Sequence, residues 1–153
     1  MKDSQDTRAP GDATRAITKG RTSAEHHGAV NTPVYHASTI LHPDVDSFER
    51  RHDPNTDRRK VIYGLLGTPT TFDLEEVVAD LEGGHGAVLV PSGLAAISVA
   101  LLSFLRPGDH LLVADTVYPP TRSFCDQYLA GMDVTVDYYD PLVGAGIESL
   151  IQP

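Results

Sequence analysis

Two short stretches of the 153-residue chain carry residue types that suit a phosphate and a planar ligand. Ser92-Gly93-Leu94 follows the apolar run Ala87-Val88-Leu89-Val90 and opens a helical pattern. A glycine at that point lets the backbone come close to a ligand, and the free N–H groups of a helix start, with the helix dipole, favour an anion. The same residues also fit a plain N-cap followed by a tight turn, and spacing alone favours that simpler reading. The second stretch is Asp115-Thr116-Val117-Tyr118-Pro119-Pro120-Thr121. A tyrosine at the exit of a strand, fixed by two prolines, is placed to lay its ring over a planar cofactor; it fits equally well as a ring covering a sheet edge.

Other chemistries lose weight on the same residues. The loop at Ser92 lacks the G-x-G-x-x-G of a dinucleotide site and the lysine of a P-loop. A Ser-His-Asp hydrolase would need G-x-S-x-G, whereas the text is Val-Pro-Ser-Gly-Leu. The seven histidines, His26, His27, His36, His42, His52, His85 and His110, show no H-E-x-x-H or similar ligand spacing, so no metal site is expected. The single cysteine, Cys125, has no polar partner nearby in sequence and reads as buried packing; alone it also excludes an internal disulfide.

The elements that must position these loops are regular after Gly67. Thr71 is expected to cap a helix whose Leu74, Val77, Val78 and Leu81 share one apolar face, with Asp73, Glu75 and Glu76 in its first turn and Gly83-Gly84 at its end. Ala87–Val90 reads as a strand buried on both faces, and a second helix carries Leu94, Ile97, Leu101, Phe104 and Leu105. After the turn Arg106-Pro107-Gly108-Asp109 come a strand at His110–Ala114, a helix at Thr121–Ala130, a strand at Val134–Tyr139 and the start of a helix at Ile147. Strand starts at 87, 110 and 134 repeat at 23 and 24 residues, the beat of β-α-β units in a mostly parallel sheet with right-handed crossovers. In such sheets ligands sit beyond the carboxyl ends of the strands, where both candidate loops lie.

Residues 1–60 hold no such pattern. Met1 to Asp12 is polar and reads as a frayed end, Thr14–Gly20 as a turn or two of helix, Gly28–His42 as extended, and Asp44–Arg59 as charged with Pro54-Asn55 as a breaker. This segment has ten of the twelve basic residues against nine acids, while residues 61–153 have Arg106 and Arg122 against twelve acids. The asymmetry fits a solvated face, and also a segment that docks on the acidic surface of a second copy. A net charge of −9 argues against a nucleic-acid or anionic-membrane partner, and no apolar run approaches a membrane span. With no signal-like N-terminus, a cytoplasmic protein is expected. Three strands with open edges and a last helix leading nowhere make the chain read as unfinished.

Five ordered motifs carry a resemblance over about Thr14 to Pro153. Tyr63-Gly64-Leu65-Leu66-Gly67-Thr68-Pro69-Thr70, Leu81-Glu82-Gly83-Gly84, Val90-Pro91-Ser92-Gly93-Leu94-Ala95-Ala96, Gly108-Asp109-His110 and Val117-Tyr118-Pro119-Pro120-Thr121 together resemble the Cys/Met-metabolism pyridoxal-phosphate enzymes. His27-Gly28-Ala29-Val30-Asn31, Gly67-Thr68-Pro69-Thr70 and Tyr138-Tyr139-Asp140-Pro141 are most similar to the family's bacterial cystathionine beta-lyase branch.

The resemblance implies a fold-type-I, PLP-transferase-like α/β architecture. It divides the chain into an N-terminal arm over 1–60, partly disordered over 1–13 and docking on a partner subunit, and the first part of a mostly parallel three-layer sheet domain over 61–153. It implies pyridoxal 5'-phosphate as electron sink for beta-elimination, a small thioether amino acid as substrate, and a homo-oligomer, dimer or tetramer. By position, the backbone of Gly93 and Leu94 cradles the cofactor phosphate, Tyr118 stacks on its ring, and Tyr63 reaches the phosphate of the neighbouring subunit.

Two departures stand against this. The family's Tyr-x-Arg has Leu65 at its third position, losing a charge-assisted contact worth about 1.5–3 kcal/mol, and Arg58 and Arg59 are only nearby in sequence. The family's Schiff-base lysine, its carboxylate for the pyridinium nitrogen and its arginine for the substrate carboxylate all fall beyond residue 153. Lys2, Lys19 and Lys60 lie in the irregular first segment, so the isolated chain is expected to be inactive. The alternatives are a related gamma-lyase or gamma-synthase, a non-catalytic phosphate-binding or interaction module, and an unrelated doubly wound nucleotide-binding domain.

Overall fold

A computed structural model describes residues 9–53, 57 and 59–152. They group into two compact units, Met1–Leu89 and Val90–Pro153. The Pro54-Asn55 breaker and the start of the N-terminal tail lie outside the described residues. Among the described residues no helix is long and apolar enough to cross a membrane.

The first unit is helical and irregular. Helix α1 spans Asp12–Thr18, two residues earlier than its apolar text suggests, and α2 spans Val45–Glu49 with the Asp44 side chain accepting from the Ser47 N–H at 2.7 Å. Helix α3 spans Pro69–Glu82. Its cap is Thr68, not Thr71: the two threonines form a reciprocal capping box, and Pro69 takes the first helical position, where a missing N–H costs nothing. Gly83 closes the helix in the left-handed conformation, as its place in the sequence suggests.

The packed face of α3 differs from the expected one. Leu74 is 50% exposed and Val78 is exposed too, whereas Phe72 and Asp73 are buried. The arm decides this. Asp73, Val77 and Asp80 line one face of the helix, and the arm lies against it: Gly20 follows α1 with φ +65°, and a Cβ there would sit 2.8 Å from a Val77 methyl and 2.9 Å from the Asp73 carbonyl oxygen. The Asp73 carboxylate accepts from Thr32 Oγ1 and from the Arg59 guanidinium, which also bonds Glu76. Arg15 Nε donates to Asp80 Oδ2 at 2.9 Å, and Lys19 Nζ lies 3.4 Å from Asp80 Oδ1. Ion pairs and close backbone contact thus outweigh aliphatic periodicity on this helix.

Ala87–Val90 forms no strand. The run is extended, but among the described residues of the first unit no strand lies beside it to complete a ladder. The Leu89 N–H donates instead to the Glu75 side chain at 2.9 Å.

The second unit has the α/β pattern. Helix α4 spans Gly93–Phe104, β1 His110–Ala114, α5 Pro119–Phe124 and β2 Thr135–Tyr139. The strands pair in parallel with His110 opposite Thr135 and Ala114 opposite Tyr139. From α5 the chain continues helically to Met132, through a π turn at Cys125–Leu129 and a 3-10 turn at Ala130–Met132. The helix expected from Ile147 is a 3-10 segment over Gly144–Leu150. Cys125, Leu129 and Val134 form the buried centre, and Leu101, Leu105, Leu111, Val113, Phe124 and Val136 pack around it. The arginine, proline and glycine of 106–108 turn the chain from α4 into β1: the Arg106 N–H donates to Asp109 Oδ2 at 2.6 Å and the Gly108 N–H to the Asp133 carbonyl at 2.7 Å.

The Asp80 pair gives the first unit an acid dependence. Arg15 hydrogen bonding holds the Asp80 carboxyl below its ordinary value of 3.8. Its contribution is therefore complete above that value and is lost as pH falls through the lower folded value. Amide exchange in α1 is expected to accelerate below about pH 4, while Asp80→Asn shows the faster exchange already at neutral pH and no Asp80-linked step. An unchanged acid step in Asp80→Asn would remove this pair as its cause.

Candidate functional site: a helix terminus and an exit-loop tyrosine

Ser92 sits in an extended conformation immediately before α4, and its Oγ accepts from the Ala95 N–H at 3.1 Å while its carbonyl accepts from the Ala96 N–H at 3.0 Å. That leaves the Gly93 and Leu94 N–H groups without a protein acceptor among the described residues, as expected of the first positions of a helix. The serine is the N-cap, as the simpler reading has it, and capping one amide leaves the two before it free. A Cβ added at Gly93 would meet nothing within 4 Å, so the space over the helix start is open. Twelve helical residues direct the positive end of their dipole to this point.

Tyr118 lies in the loop after β1, in the same unit. Its backbone lies at φ −51° and ψ 127°, outside the helical region that a following proline disfavours, and its carbonyl accepts from the Thr121 and Arg122 N–H groups at 2.8 and 3.2 Å. The two prolines thus start α5 directly and leave the Tyr118 side chain 59% exposed. Leu94 and the residues after Tyr118, Pro119 and Pro120, line a common cavity of about 590 Å³ with Ser123, Phe124, Gln127 and Tyr128. The Phe124 and Tyr128 rings stack there at 5.2 Å. No charged side chain lines this cavity, so it suits a planar or apolar group; the donors for a phosphate are the amides at the start of α4.

The loop carrying Tyr118 is bonded on both sides. Asp115 N–H donates to the Tyr139 carbonyl at 2.9 Å and Val117 N–H to the Ala114 carbonyl at 3.0 Å. Arg122 Nη2 donates back to the Asp115 carbonyl at 3.1 Å and to its carboxylate, while the guanidinium lies 3.7 Å over the Tyr138 ring. Sequence reading did not single out Arg122; a basic residue seven positions after Asp115, across a loop and the first turn of a helix, was the available signal. Tyr138 in turn donates from its hydroxyl to Asp126 Oδ1 at 2.6 Å. Burial, and then that carboxylate, push its phenol up to about 12, so it stays a donor. Cys125 is fully buried and its thiol is pushed up by the same burial, which keeps it protonated and unreactive.

Tyr63 belongs to the first unit. It precedes a single 3-10 turn over Gly64–Leu66, and its half-exposed ring lines a separate cavity of about 310 Å³ with Thr39, Ile40, Phe48 and Ile62 among others. The turn is fixed by backbone contact: Gly64 N–H donates to the Ser38 carbonyl at 2.7 Å, and a Cβ at Gly64 would lie 1.7 Å from the Ala37 carbonyl oxygen. Leu65 is 81% exposed. Arg59 does not stand in for the arginine absent there, because its guanidinium is held by Asp73 and Glu76. Arg58 lies outside the described residues. Among the described residues no three His, Cys, Asp or Glu side chains gather as a metal-holding group.

The α/β unit thus presents unpaired helix-start amides and an exposed exit-loop tyrosine. The family model for the Cys/Met metabolism PLP-dependent enzymes matches residues 13–153. The chain is 48% identical over 139 residues to a putative cystathionine beta-lyase of Rhizobium johnstonii, covering 91% of this chain and 34% of that protein. It is 36% identical over 140 residues to cystathionine beta-lyase MetC of Escherichia coli, covering 92% and 35%. Among solved structures, metB from Corynebacterium glutamicum superposes with a TM-score of 0.81 at 28% identity over 94% of this chain and 35% of that one. The chain belongs to the Cys/Met metabolism PLP-dependent enzymes, a family of fold type I, and it spans about a third of the length of the curated relatives it matches.

The free Gly93 and Leu94 amides, the open space at Gly93 and the exposed Tyr118 ring fit pyridoxal phosphate. Because Ser92 is the cap, Ser92→Ala is expected to lower the stability of the second unit by about 1 kcal/mol, read by urea unfolding. Faster amide exchange at Ala95 should accompany it. Unchanged stability and exchange would mean that the hydroxyl does not organise the helix start.

Proposed function

We propose that these residues form the cofactor-phosphate and ring-stacking portion of a pyridoxal-phosphate-dependent carbon–sulfur lyase, acting in the cytoplasm on cystathionine. The products are homocysteine, pyruvate and ammonia. The observation that carries this reading is the pair of unpaired amides at Gly93 and Leu94 in a chain of this family, at the start of a capped helix in the unit that also holds Tyr118. Supporting the choice of substrate is the similarity to proteins named cystathionine beta-lyase.

Bound pyridoxal phosphate supplies an electron sink that makes the proton on the substrate α-carbon removable and lets the bond between β-carbon and sulfur break. The chain's own residues bind and orient. Gly93 and Leu94 donate to the phosphate, reinforced by the dipole of α4, and need no countercharge that would titrate near neutrality. Tyr118 covers one face of the ring, fixing its plane and keeping water from that face. Tyr63 reaches the phosphate held by a neighbouring subunit of a homo-oligomer, with the arm over 1–60 docked on that neighbour. Exposed Leu65 supplies no second contact to that phosphate.

The 153 residues alone are inactive on this reading. Lys19 is engaged by Asp80, and neither it nor Lys60 belongs to the unit bearing Gly93 and Tyr118. Lys2 lies outside the described residues. Alone with pyridoxal phosphate and cystathionine, the chain is expected to release no pyruvate. Joined to the C-terminal two thirds of the Escherichia coli relative, it should release pyruvate and homocysteine together. Pyruvate from the chain alone would overturn its inactivity, and a soluble, cofactor-loaded hybrid that releases none would overturn the lyase reading.

A further inference from the structure

We infer that Arg122 is a positioning residue for Tyr118, holding the loop after β1 in the shape that presents the Tyr118 ring. The inference rests on the reading of Tyr118 given above. The Tyr118 ring is more than half exposed and has no ring contact or hydrogen bond among the described residues. What the protein fixes is therefore the backbone from which the ring projects, and the backbone of Asp115–Tyr118 belongs to neither β1 nor α5.

Among the described residues one side chain holds that loop from outside. Arg122 reaches back from α5 to both the carbonyl and the carboxylate of Asp115, the first residue after β1. Its guanidinium carbon lies 3.7 Å over the centre of the Tyr138 ring of β2, and Tyr138 is held by Asp126. The helix, the neighbouring strand and the loop are thereby tied through a single planar group. Both bonds to Asp115 come from one nitrogen, Nη2, so what a lysine cannot reproduce is the delocalised guanidinium lying over the Tyr138 ring while those bonds are made. An isolated surface ion pair contributes little to stability. The effect expected here is on ligand binding, because the part that the pair fixes is the segment leading to the stacking ring.

The test is a double-variant cycle read by equilibrium dialysis with pyridoxal phosphate alone as the probe, on the unaltered chain, Arg122→Gln, Tyr118→Ala and both together. Arg122→Gln is expected to weaken binding about five-fold, the scale of one ring contact, and to add nothing once Tyr118 is alanine. Amide exchange at Val117 should rise in Arg122→Gln while Leu112 in β1 is unchanged. Equal weakening with and without the Tyr118 ring, or exchange that rises through β1 as well, overturns the positioning role. Weakening by Tyr118→Ala with none by Arg122→Gln overturns this inference alone. No weakening by Tyr118→Ala, or no saturable binding by the unaltered chain, overturns the reading of the site and this inference with it.

Discussion

A parallel ladder between His110–Ala114 and Thr135–Tyr139 obliges the chain to leave the end of one strand, cross back over the sheet and re-enter at the start of the next. Everything about the second unit follows from that crossing. The helical run from Pro119 to Met132 is the crossover, and its buried Cys125 and Leu129 seal the sheet with Val134. The ladder also brings Asp115 beside Tyr139, whose carbonyl accepts the Asp115 N–H. The loop carrying Tyr118 therefore starts from a fixed strand end, and Tyr138 lies within reach of Arg122.

On the proposed reading, phosphate recognition would rely on backbone. Two amides and a helix dipole act without side-chain charge, which suits a chain whose last 93 residues hold two basic side chains against twelve acids. Arg122, one of those two basic side chains, is paired to Asp115 and lies over the face of Tyr138. In the first unit basic residues serve a different end: Arg15, Lys19 and Arg59 fasten the arm to α3 through Asp80, Asp73 and Glu76. The excess of positive charge early in the chain is thus partly consumed within the unit.

Much of this was legible in the residues. The Pro-Ser-Gly step after an apolar run marked the start of α4, and two of three expected strands formed at their places, while the helix expected from Thr121 begins two residues earlier, at Pro119. What could not be read is equally specific. Ala87–Val90 has the text of a buried strand, but a ladder needs a partner, and pattern alone cannot supply one. Leu74 and Val78 have helical spacing, yet the face that packs is the one carrying Asp73 and Asp80, because their partners come from residues 15, 19, 32 and 59, far off in sequence. Thr71 has the makings of a cap; Pro69 moves the start back to Thr68, a position that the preference of proline for the first helical residue points to. Arg122 was invisible for a similar reason: its significance lies in a cross-strand ring and a loop carbonyl.

The central claim is that Gly93 and Leu94 amides receive a phosphate while Tyr118 faces the attached ring. Amide-resolved NMR titration of the chain with pyridoxal phosphate, beside one with inorganic phosphate, tests it most directly. Both ligands should move the Gly93 and Leu94 resonances, and only pyridoxal phosphate should also move the ring resonances of Tyr118. Saturable shifts that spare Gly93 and Leu94, or no saturable shift at all, would contradict the account.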